Sequence, residues 1–168
     1  PPAPSAYRIS VTKTGYTQAR TYSLTDENVA DPVSQDATIL AGQLTQVSLT
    51  IDPVSQLKIQ ALNEVCSPIG PFALNLKGAR TLDNKGLVPI WDEDISLPTS
   101  GELDIVNLWP DTYSLTPLVN SLVLLGSFPL QSVYIPAGAS SLVKLLLGEK
   151  QPAGLLVSVR DGVSSLPL

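Results

Sequence analysis

Ile39-Leu40-Ala41-Gly42 and Ile135-Pro136-Ala137-Gly138 open two runs of one pattern, and reading each against the other decides the fold. After the first, Val47, Leu49 and Ile51 alternate with Ser48, Thr50 and Asp52. After the second, Val143, Leu145 and Leu147 take the apolar positions. Ile39, Ala41, Gly42, Val47, Leu49 and Ile51 match Ile135, Ala137, Gly138, Val143, Leu145 and Leu147 at one constant offset. Leu57, Ile59 and Ala61 match Leu155, Val157 and Val159 at nearly the same offset. Strict alternation marks strands with one buried face. A period this long is that of whole domains in tandem, not of a short solenoid repeat. The pattern predicts an all-β array.

Working outward, residues 1–52 read as late strands of a first β-sandwich unit, with strands at 7–13 and 43–51 and a short one within 19–24. Residues 53–148 read as a complete sandwich, and 149–168 as a linker and the opening strand of a further unit. Alternating or β-rich runs in the middle unit fall at 55–62, 72–77, 87–95, 102–105, 112–116, 128–135 and 140–147, about seven strands per unit. Their apolar members predict a core of Leu57, Ile59, Leu74, Leu76, Ile105, Leu108, Tyr113, Leu115, Val133, Val143 and Leu145. Helical periodicity is confined to 117–126, where Leu118, Leu122 and Leu125 predict a helical turn.

Composition agrees. Fifteen prolines and eleven glycines punctuate short apolar runs rather than forming one low-complexity tract. Apolar residues make up 43%, enough to bury a core, and charged residues 15%. The chain has no Met, so it is expected to be processed or cut from a longer one. It has no His, which removes the usual neutral-pH proton shuttle and the commonest metal ligand. A single Cys, Cys66, cannot form an intrachain disulfide. The net charge of -5, without a basic block, argues against nucleic acid as a partner. No apolar run approaches the roughly 20 residues that span a bilayer, so membrane insertion is not expected within this segment.

The run Thr99-Ser100-Gly101-Glu102-Leu103-Asp104-Ile105-Val106-Asn107-Leu108-Trp109-Pro110-Asp111-Thr112-Tyr113 resembles the middle of a carboxypeptidase-regulatory-like domain. That is the prealbumin-like (transthyretin-like) sandwich shared with Cna B-type repeats of bacterial surface or pilin-like proteins. In that family a Gly-containing turn leads to a strand, and "N-L-x-P-G-x-Y" carries the chain to the next. Asp111 stands where the family usually has Gly, and Asp also serves turns. Tyr7-Arg8-Ile9-Ser10-Val11-Thr12-Lys13-Thr14-Gly15-Tyr16 resembles the strand after that motif. Cys66-Ser67-Pro68-Ile69 and Ser165-Leu166-Pro167-Leu168 resemble the end of an opening strand. The resemblance implies tandem prealbumin-like sandwiches, about seven strands each, on a cell surface. Some such repeats carry an internal Lys–Asn bond, with the lysine on the first strand, where Lys58 stands. The last strand, 140–147, has no Asn or Asp, so Lys58 is expected to be solvated.

Other candidates are few. Asp92-Glu93-Asp94 with Asp83 and Asn84 offers oxygen ligands for Ca²⁺, but the spacing matches no EF-hand loop and a solvated acidic loop is expected. Trp91, Trp109 and Tyr134 are candidates for a glycan-stacking platform, with core or turn packing the alternative. Cys66 lacks the basic neighbour a reactive thiolate needs. Glycosidase chemistry needs a carboxylate pair such as Glu93 with Glu102, but a narrow sandwich offers no evident cleft to raise one pKa. No catalytic residue, cofactor or metal is expected, and neither is enzymatic activity. The leading expectation is a non-catalytic component of an extracellular stalk, fibre or pilus; the alternative is a glycan- or protein-binding adhesion module. Leu155, Val157 and Val159 are candidates for an intersubunit strand, because strand addition joins copies of a chain head to tail.

Overall fold

The computed structural model describes residues 5–150. Among them there are strands, turns and loops but no helix. The first part holds β1 (Ser5–Tyr7), β2 (Ser10–Val11), β3 (Ala19–Arg20) and β4 (Ala37–Ile39). The rest holds β5 (Ser55–Leu62), β6 (Phe72–Gly78), β7 (Asp92–Leu97), β8 (Glu102–Leu108), β9 (Asp111–Pro117), β10 (Leu122–Phe128), β11 (Val133–Ile135) and β12 (Ser140–Glu149).

β5 to β12 form two four-stranded sheets, ordered β10-β12-β5-β8 and β11-β9-β6-β7. Every neighbouring pair is antiparallel except β12 with β5, which run parallel, Val143 opposite Ile59 and Leu145 opposite Ala61. The sheets share one core. Leu57, Ile59 and Ala61 of β5 and Val143, Leu145 and Leu147 of β12 meet Leu74, Leu76, Tyr113 and Leu115 of the other sheet. Burying one such Leu or Ile contributes about 1.5–3 kcal/mol. All the predicted core residues are buried except Ile105, which is half-buried against the cluster. Phe72, Leu97, Ile135 and Leu147 complete the core, with Ala61.

Four sequence expectations are corrected here. The helical turn predicted at 117–126 is largely strand β10. Leu122 and Leu124 pack against the core while Val123 and Leu125 face out, a period of two that the spacing of Leu118, Leu122 and Leu125 disguised. The middle sandwich therefore has eight strands, not seven. The strand predicted at 87–95 starts only at Asp92, because the N–H groups of Leu87 and Val88 bond to the Asp83 carboxylate instead of a ladder. The strand predicted at 7–13 is broken into β1 and β2 at Ile9. Its N–H donates to Thr21 Oγ1 at 2.9 Å and its carbonyl accepts from Thr21 N at 2.9 Å.

The fourth correction matters most. Residues 43–51 are not a strand, and no strand of the described residues pairs with them. A run that alternates correctly still needs a neighbour to satisfy its backbone. The rest of the first part forms two small sheets, β1-β4 and β2-β3.

The two parts share local geometry. β1 pairs with β4 so that Tyr7 faces Ala37 and Ser5 faces Ile39; β9 pairs with β11 so that Tyr113 faces Val133 and Asp111 faces Ile135. Ala37 and Ile39 match Val133 and Ile135 at the offset of the sequence repeat. The turns after these strands also correspond. Gln43 N donates to Leu40 O and Ala139 N to Pro136 O, both at 3.2 Å, around Gly42 and Gly138 with φ of 73° and 69°. Only glycine adopts that left-handed conformation without strain.

Candidate functional site

The two parts meet at the end of the sandwich where β5 starts. Thr17 N donates to Asp52 O at 2.8 Å, Asp52 N to Thr17 Oγ1 at 3.0 Å, and Val54 N to Gly15 O at 3.0 Å. A second tie joins 31–33 to 82–84: Val33 N donates to Leu82 O and Asn84 N to Asp31 O. Asp83 holds this loop in shape. It is buried, and its carboxylate accepts N–H bonds from Val88 and Leu87. Burial alone would raise its pKa, but these bonds with those from its own N–H and Lys85 outweigh it and hold the carboxyl below its ordinary value.

Between the parts lies a cleft of about 510 Å³ bordered by Thr17, Arg20, Leu49, Arg80, Ile90 and Trp109, among others. Ser10, Thr12, Gln18, Ser34 and Ser48 add hydroxyl and amide groups to its rim or walls. The Arg20 guanidinium stacks 4.4 Å from the centre of the Tyr22 ring, and Arg80 lies 3.6 Å from Asp52. Such a lining presents hydrogen-bond donors of the kind that suit a polyhydroxy or carboxylate group, and one indole edge or face. Sequence spacing did not point here. Arg20, Arg80 and Trp109 are far apart in the chain, and only the docking of the two parts brings them to one cleft.

The Trp109 segment explains the turn motif. Tyr113 is fully buried, and its hydroxyl donates to the Trp109 carbonyl at 2.7 Å. Asp111 is buried beside it and accepts from Arg80 N at 2.9 Å and Thr112 N at 2.7 Å. Burial, then the charge of Asp111, pushes the Tyr113 phenol above its ordinary range. The residues of the motif fix a corner rather than present a reactive group.

The chain matches no family model and no curated protein. Among solved structures it is similar to the Bacillus anthracis TIE protein, at 17% identity and a TM-score of 0.40. The likeness covers 69% of this chain but 21% of that one. It is too slight to carry family or function.

The predicted platform residues stand apart. Trp91 adjoins β7 and Tyr134 is exposed on β11, at opposite edges of one sheet and about 14 Å apart at the usual strand spacing. Trp91 packs against the core, with its Nε1–H buried and unpartnered. Of the three, Trp109 alone borders the cleft. Lys58 is part exposed and forms an ion pair with Glu102 at 2.7 Å, across the sheet from Asp104. Hydrogen bonds from Lys58 and then Gln60 hold the Glu102 carboxyl below its ordinary value, the reverse of what a general acid needs. Asp92 and Asp94 both accept from Asn75 Nδ2 at 2.9 Å, and Lys77 pairs with Asp92 at 3.2 Å. Among the described residues no three His, Cys, Asp or Glu residues are grouped to hold a metal, and no helix is long and apolar enough to cross a membrane. Cys66 is exposed on a turn. Leu155, Val157 and Val159 lie outside the described residues.

Proposed function

We propose that this chain is a non-catalytic structural component of a bacterial surface stalk, fibre or pilus, built from tandem prealbumin-like sandwiches. The observation that carries the reading is the parallel pairing of the first and last strands of the sandwich, β5 and β12. Parallel neighbours start at the same end. The chain therefore enters the sandwich at the end where β5 starts and leaves it at the opposite end, where β12 finishes. An antiparallel first and last pair would return the chain to its starting point and bunch successive units. Here each unit is threaded lengthwise, and β12 advances the chain by about 33 Å over its ten residues. The matched registers of β1·β4 and β9·β11 support the tandem element of the reading, because the same ladder precedes each copy of the repeated run.

Scattering in solution tests the shape. A compact globule of this length has a radius of gyration of about 15 Å. We expect a value well above that; one near it would refute the spacer. Antibody labelling of intact cells tests the location, and labelling only after permeabilisation would sink it.

One observation favours a second reading, an adhesion module for glycan or protein. The cleft puts Trp109 beside Arg20 and several hydroxyls. Glycan-array binding that is lost in Trp109→Ala and Arg20→Ala, with the fold intact, would establish it over the spacer alone.

A further inference from the structure

We infer that residues 43–51 are an acceptor site for the segment 155–160 of a second copy of this chain, which adds to them as a parallel strand. The inference rests on the tandem reading above. In the sandwich, Val143, Leu145 and Leu147 are fully buried because β5 lies alongside them. Their counterparts in the first part fare differently. Val47 is 37% exposed, Leu49 and Ile51 are only half-buried, and no strand of the described residues lies beside them. Ile135 is likewise fully buried, whereas its counterpart Ile39 is 54% exposed. The preceding turn and ladder are in place at both sites. What the first site lacks among the described residues is the partner strand, and its apolar row remains open to water.

The sequence names the occupant. The residues of β5 that cover β12 are Leu57, Ile59 and Ala61, and their repeat counterparts are Leu155, Val157 and Val159. Carrying the β12·β5 register across the repeat sets Thr45 opposite Leu155, Val47 opposite Val157, Ser48 opposite Ser158 and Leu49 opposite Val159.

Chain geometry decides between the same molecule and another. The acceptor borders the cleft with Trp109 and Arg80, at the end where β5 starts. Glu149 ends β12 at the far end, about 33 Å away along ten residues. The six residues from Glu149 to Leu155 span at most about 22 Å. The segment cannot return to its own acceptor, so it reaches that of another molecule. Such a contact is heterologous and repeats from copy to copy, which builds an open filament.

The experiment uses the full 168-residue chain with Cys66→Ser, so that only introduced thiols react. Ser48→Cys in one population and Ser158→Cys in another are mixed and oxidised, one carrying a mass tag. Parallel strand neighbours bring paired Cα atoms within disulfide range, so a tagged–untagged heterodimer is expected, and Ser164→Cys in place of Ser158→Cys should give far less. Val157→Lys with Val159→Lys should weaken association in sedimentation more than roughly tenfold. A chain that sediments as a monomer at every concentration, or heterodimers that form equally with Ser164→Cys, overturns the inference. An elongated monomer without cross-links overturns it while leaving the spacer standing; a compact monomer overturns both.

Discussion

At Tyr113 one hydroxyl decides how a turn is built. Its bond to the Trp109 carbonyl closes the corner between β8 and β9 inside the core. Tyr113→Phe leaves that carbonyl without its partner, and we expect a loss of about 1–2 kcal/mol in urea unfolding. The raised phenol pKa sets an alkaline limit. The folded state holds the neutral phenol, so the stability is fully present below the unfolded pKa of about 10 and is lost as pH rises beyond it. Tyr113→Phe should flatten that alkaline limb. Asp83 sets the opposite limit. Its folded pKa lies below 3.8, so its contribution is present above that value and is lost as pH falls through the folded pKa. Asp83→Asn should lower the melting temperature at neutral pH and remove part of the acid-dependent loss, read by tryptophan fluorescence. Unchanged melting would show that the 83–88 loop does not depend on its carboxylate.

Between elements, the same alternating run has two fates. In β12, Leu145 is fully buried between β5 and the facing sheet, and Leu145→Ala is expected to cost about 2–5 kcal/mol. Its counterpart Leu49 is half-buried with no strand of the described residues beside it, and Leu49→Ala should cost about 1 kcal/mol in the isolated molecule. Equal losses in chemical denaturation would mean that 43–51 is as fully packed as β12. In the same sheet Lys58 of β5 pairs with Glu102 of the edge strand β8, and both side chains are too exposed for their ion pair to add materially to stability. Intact mass should equal that of the unmodified sequence; a deficit of one ammonia would reveal a cross-link at Lys58.

For the whole molecule, the lengthwise path through the sandwich and the two ties at the junction bear on mechanics. Val54–Gly15 and Asn84–Asp31 clamp the first part to the end of the sandwich, so the cleft between them has walls fixed on both sides. The acidic groups have protein partners: Asp92 has Asn75 and Lys77, and Asp94 has Asn75. Adding a chelator should therefore leave the melting temperature unchanged. A large drop would place a Ca²⁺ ion among these carboxylates.

The sequence by itself determined what is local. Alternation in 55–62, 72–77, 112–116 and 140–147 identified β5, β6, β9 and β12, because side chains point to opposite faces of a strand whatever it pairs with. The same period named the core, from Leu57 to Leu145. Glycines at 42 and 138 marked turns that require a left-handed residue. Tertiary structure decided the rest. It made a strand of 122–128 and denied one to 43–51. It delayed the start of the predicted 87–95 strand to Asp92, past the Asp83 loop, and gathered Arg20, Arg80 and Trp109 at one cleft. Those outcomes turn on which backbone groups and surfaces find partners distant in the chain, and a strand's hydrogen bonds, unlike a helix's, are all made to another segment.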